Sequence, residues 1–216
     1  GATSALSGMT SEVMGTSDAI EKFQSTMNFA GKTKEETEEA TKIFKKYADD
    51  TVYDLNDITN TGAQLAANGI ENYKELAIAA GNLNAVAGGN ADTFKSVGMV
   101  LTQTAGAGKL TTENWNQMAD AIPGASGKLQ EALKNAGAYT GDFRDAMAKG
   151  QISSEEFLKA IQDLGSSGAA EEAARSTKTF EGAIGNLEAT VTTGMTNVLD
   201  AFGKEKVTGA ITKFGD

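Results

Sequence analysis

The stretch TKEETEEATKIFKKYADD, residues 33–50, holds a full set of helix signals. Thr33 stands as an N-cap with Glu36 three residues on, the spacing of a capping box. Glu35, Glu36, Glu38 and Glu39 crowd the first turns, where the positive end of the helix dipole favours carboxylates. Ala40, Ile43, Phe44, Tyr47 and Ala48 then recur at steps of three and four, so one face is apolar. A helix with one apolar face must bury it, and the partners have to come from the flanking chain.

The same grammar extends in both directions. Upstream, Ile20, Phe23 and Met27 form an apolar stripe that Gly31 ends. Downstream, Asp54 caps a helix carrying Leu55, Ile58 and Leu65, closed near Gly69, and Ile70, Tyr73, Leu76, Ala77, Ala80 and Leu83 make the next. Gly88-Gly89-Asn90 breaks the chain before a helix with Phe94, Val97 and Leu101. Shorter helices follow around Trp115–Ile122, Leu129–Ala136 and Phe157–Leu164. Glycines at 31, 69, 88, 89, 108, 124, 127, 137, 141 and 150 chop this part into pieces. The chain has one proline, and no stretch alternates with period two for long enough to make a strand. The fold class is all-α: a compact bundle of short helices followed by a longer C-terminal helix.

From about Ala169 the texture changes. Phe180, Ile184, Leu187, Val191, Val198 and Phe202 lie mostly three or four apart, a narrow seam on one long helix that Gly182, Gly185 and Gly194 weaken. The expected division is a lead-in over 1–32, a compact unit over 33–165, and from 169 to 216 a long helix leading into further helical chain. The break falls at Gly165–Gly168. The seam needs a partner, either the preceding helices or a second copy.

Composition narrows the function. The 216 residues hold 19 Lys and Arg against 29 Asp and Glu, a net charge of −10, and no basic stripe is visible for sequence-specific nucleic-acid binding. Cysteine and histidine are both absent, which removes disulfides, thiolate metal sites, the usual zinc ligand and every Ser-His or Cys-His arrangement. Aromatics are 6% against 40% hydrophobic residues, with alanine and glycine making up the difference. Small residues bury less apolar area each, at about 25 cal/mol per Å², so stability is expected to be modest and helped by a partner. The longest uncharged run, 76–91, is too short and too rich in Gly and Asn to span a membrane, which takes about 20 apolar residues.

Two motifs imitate ligand sites. GAGKLT, residues 106–111, resembles a phosphate-binding loop. However, Gln103 stands where its first glycine belongs, and Leu110 stands where a Ser or Thr should reach Mg²⁺. A glycine turn ending a helix explains it better. Laid on a calcium loop, Asp145–Glu156 puts Met147 and Lys149 where oxygen donors belong. A helix–turn–helix with Ser153 and Glu156 as a capping box accounts for the same residues. Carboxylate pairs such as Glu113 with Asp120, or Glu155 with Glu156, sit at helix starts or on solvated faces, not in an aromatic cleft. No catalytic residue, cofactor or metal ligand is assigned. The candidate interaction residues are Trp115, whose spacing with Met118, Ala119 and Ile122 favours a core position over an exposed anchor, and the seam Phe180, Ile184, Leu187, Val191, Val198 and Phe202.

Two segments echo each other: GKLTTENWNQMADAI from Gly108 and GQISSEEFLKAI from Gly150. Between them lie IPGASGKLQEALKNAG and YTGDFRDAMAKG. This order, with YADDTVYDLNDI and AQLAANGI upstream and TFEGAIGNLEATVTTGM downstream, resembles the N-terminal domain of tape measure proteins of long-tailed bacteriophages and prophages. Gln151 replaces a usual lysine. The resemblance covers about Tyr47 to Met195. It implies a structural, non-catalytic protein of the virion tail, present in the host cytoplasm during assembly, that sets tail length. The implied partners are tail tube subunits, tail-assembly chaperones, baseplate or distal tail proteins, and further copies of itself. The alternative is a bacterial helical interaction module with no virion role.

Overall fold

The computed structural model describes residues 18–182, and among them every regular element is a helix. The order is α1 (Asp18–Phe29), α2 (Lys34–Asp50), α3 (Leu55–Ala67), α4 (Tyr73–Val86), α5 (Ala91–Ala107), α6 (Thr112–Ala121), α7 (Pro123–Asn135), α8 (Phe143–Ala148), α9 (Ser154–Gly165) and α10 (Gly168–Gly182). An all-α bundle is what the periodicity predicts. The seam residues Ile184, Leu187, Val191, Val198 and Phe202 lie outside the described residues.

Helix α4 is the axis of the bundle, packing against α2, α3, α5, α9 and α10. Its sequence explains why: after Glu75 it carries no charge through Val86, and it is buried on nearly every side. Two buried asparagines on it would be costly without partners, and both are satisfied. Asn82 accepts from the Tyr47 hydroxyl at 2.8 Å and donates to the Gly165 carbonyl at 3.0 Å. Asn84 donates to Tyr53 Oη and to the Asn90 carbonyl, both at 2.8 Å, and accepts from Thr93 Oγ1 at 2.7 Å. The axis is thereby tied to the end of α2, the end of α9 and the cap of α5.

Local signals set the boundaries. Thr33, Asp54, Asn90, Thr111, Asp142 and Ser153 each accept a hydrogen bond from a first-turn backbone N–H of the helix they open. At Thr33 only half of the expected box is used, because the Glu36 carboxylate turns instead to the Tyr73 hydroxyl at 2.9 Å. Two of the ten chain-chopping glycines behave otherwise. Gly124 and Gly127 lie within α7, which starts early because Pro123 suits the first helical position. Gly124 is needed for contact, since a methyl there would come within 2.9 Å of the Ala87 carbonyl oxygen.

The described helix after the Ser166-Ser167 break is not detached. Ala169, Ala170, Ala173 and Ala174 of α10 are buried against the bundle, chiefly on α4. At the other end α1 buries Ile20, Phe23 and Met27, with Phe23 edge-on to Phe44 and α3 as its main neighbour.

Candidate functional site

The two echoing segments meet in space. Leu110 N donates to the Ile152 carbonyl at 2.9 Å and Ser154 N to the Gly108 carbonyl at 3.0 Å, an antiparallel bridge centred on Lys109 and Ser153. Matching residues play matching parts. Gly108 and Gly150 both have positive φ, at 78° and 71°. Leu110 and Ile152 are fully buried, Thr111 and Ser153 cap α6 and α9, and Trp115 and Phe157 follow into the core. The clasp joins the two ends of the stretch of chain that carries α6, α7 and α8. The likeness of the two segments was legible in the sequence; their contact was not.

This geometry decides the two imitations. Gly108 is the left-handed C-cap of α5 and its N–H bonds the Thr104 carbonyl, so GAGKLT is a helix end followed by a buried leucine. In Asp145–Glu156, Asp145 lies on α8 and Gly150 makes the turn. The Glu156 carboxylate accepts from Ser153 N at 3.0 Å and Ser153 Oγ at 3.1 Å, completing the capping box. Among the described residues no cluster of three or more Asp or Glu is arranged to hold a metal ion. Of the carboxylates considered, Glu113, Asp120 and Glu155 are exposed. Trp115 is 1% exposed and packs edge-on to Phe143 at 4.7 Å, which is the core reading of its spacing.

A cleft of about 310 Å³ opens where the end of α2, the middle of α4 and the start of α10 converge, lined by Tyr47, Asp50, Asn82, Glu171 and Arg175 among others. Burial, and then the neighbouring Tyr53, push the Tyr47 phenol well above its usual range, against the pull of Arg175. Such a phenol is a hydrogen-bond donor and not a base, and its proton already goes to Asn82. Sequence reading did not single out Asn82 or Asn84, although their place in a long uncharged run marks them as candidates for burial. Among the described residues no helix is long and apolar enough to cross a membrane.

The family model described as tape measure protein matches residues 11–200. The chain belongs to the tape measure protein family. The tape measure protein of Lactococcus phage F4-1 is 28% identical over 173 residues, covering 76% of this chain and 46% of that one. Probable tape measure proteins of Lactococcus phages p2 and SK1 are each 28% identical over 174 residues, covering 76% of this chain and 17% of theirs. The chain therefore spans about half the length of one such relative and about a sixth of the other two. No solved structure matches it. Membership does not favour the alternative of a bacterial helical module without a virion role.

Proposed function

We propose that this segment is a folded assembly element of a tail tape measure protein that docks or nucleates at a tube end, while the ruler lies in further helical chain. The observation that carries this is the fold-back around α4. As one continuous helix, 165 residues would extend about 250 Å at 1.5 Å each. A packed domain of that size has a radius of gyration of about 15 Å. Deleting a helix from a bundle with a shared core disrupts packing and does not shorten a rod. The chemistry is in keeping with a structural role: the Glu156 carboxylate is engaged in a cap and the Tyr47 hydroxyl is committed to Asn82. The partners we infer are tube subunits, tail-assembly chaperones and distal tail or baseplate proteins, met in the host cytoplasm before incorporation into the virion tail.

The test is an in-frame deletion within Thr33–Leu164 of the full-length protein, with tails measured by electron microscopy. Fewer or no tails are expected. Intact tails shortened by about 1.5 Å per deleted residue would show that this segment is extended in the tube, and the proposal would fall.

A further inference from the structure

Helices α3 and α5 lie side by side and together present a face poor in charge. Asp57, Asp92 and Lys95 are their only charged residues, whereas α2 alone carries ten in its 17 positions. Along this side of α3 and its C-cap runs a row of carboxamides at intervals of four, with Asn56, Asn60 and Asn68 exposed and Gln64 half-buried. Opposite them on α5, Met99 is 53% exposed, one of two large hydrophobic side chains so placed among the described residues. Between the helices runs a groove of about 520 Å³. Its floor is closed where Gly98 meets Thr61, so tightly that a methyl on Gly98 would lie 2.6 Å from Thr61 Oγ1. In its wall Asp57 Oδ2 is shielded from solvent and accepts no hydrogen bond.

We propose that this face is where two copies of the chain meet. A molecule with a net charge of −10 repels its own kind, so two copies approach most easily through a neutral face. Depletion of charge is also what distinguishes the core of an interface from ordinary surface. The face is self-complementary, because it offers a projecting methionine and a groove together. That is what a two-fold contact requires, each Met99 entering the groove of the other copy. Carboxamide N–H groups of the second copy supply the donors that Asp57 Oδ2 lacks. The inference concerns the isolated chain and stands apart from the tail reading.

The experiment is sedimentation equilibrium of the 216-residue chain from about 1 µM to about 1 mM, which brackets weak dimers. It is repeated at high salt and for Met99→Lys. A dimer is expected that tightens as salt screens the like charges, and that Met99→Lys weakens at least tenfold with an unchanged melting curve. Because the chain has no cysteine, single thiols report position cleanly. A short bis-maleimide should link Met99→Cys chains into dimers and leave Lys46→Cys, on the charged α2 surface, monomeric. A monomer at every concentration, association indifferent to Met99→Lys, or equal cross-linking of the two thiols would each overturn the proposal.

Discussion

Gly165 ends α9 against α4, and a methyl there would overlap the Ala79 carbonyl oxygen while Asn82 holds the Gly165 carbonyl from the same side. Neither backbone can yield alone. Gly165→Ala is expected to cost about 2–3 kcal/mol as an overpacked core site, and to lower the melting temperature by roughly 5–10 °C for a chain of this size. A melting curve that matches the unchanged protein would show that α9 and α4 are not so close in solution. Asp57 tests a charge in the same way. Burial first, and then the neighbouring Asp54, raise its carboxyl above the ordinary range, with Lys95 pulling the other way. Between the unfolded and folded values the native state therefore binds more protons than the unfolded chain. The contribution of Asp57 to stability is then fullest at acid pH and declines as pH rises through the folded value. Urea melts of the protein and of Asp57→Asn across pH 4–7 should show the difference turning against aspartate as pH rises. A difference that favours aspartate more with rising pH would mean a paired, depressed carboxyl.

Elements were legible wherever one signal acted alone. The box of Ser153 and Glu156, the cap at Asp54 and the break at Gly88-Gly89-Asn90 can all be read from adjacent residues, and the structure keeps them. What escaped the sequence is long-range. Glu36 has the spacing for a local box yet serves Tyr73, 37 residues away, and nothing near Asn82 announces Tyr47 or Gly165. The clasp is intermediate: its halves are alike in sequence, but only the fold brings them together. This yields a coupling experiment. Thr111→Ala and Ser153→Ala each remove a cap worth about 1 kcal/mol. Because the bridge joins the two turns, their effects should depart from additivity by about 0.5 kcal/mol or more. Strict additivity in denaturant melts would show the bridge transmits nothing. The turn between α8 and α9 makes a further forecast. With the Glu156 carboxylate committed to Ser153, calcium and EDTA should leave the melt by circular dichroism unchanged. A rise of several degrees with calcium would restore the ion-loop reading of Asp145–Glu156.

At the scale of the whole molecule, the question is whether the described helices act as one unit. Periodicity set out a lead-in, a compact middle and a long final helix, because glycines and the SSG break are conspicuous in sequence. Packing runs across both of those breaks. Phe23 and Met27 of α1 belong to the same core as Trp115 of α6 and Ala170 of α10, with α4 touching most of what lies between. A shared core makes unfolding all-or-none, and the single tryptophan makes that measurable. Trp115 reports on the contact of α6 with α8, far along the chain from α1, while far-UV dichroism reports on all helices. Phe23→Ala removes a buried ring, a change that costs about 3–5 kcal/mol in well-packed cores. In one cooperative unit, that loss must move the Trp115 fluorescence transition and the dichroism transition together, although Trp115 and Phe23 lie in helices that are not major neighbours. If dichroism shifted while Trp115 kept its own midpoint, α1 would belong to a separately melting lead-in. The shared core would then be a juxtaposition of units and not a single cooperative one.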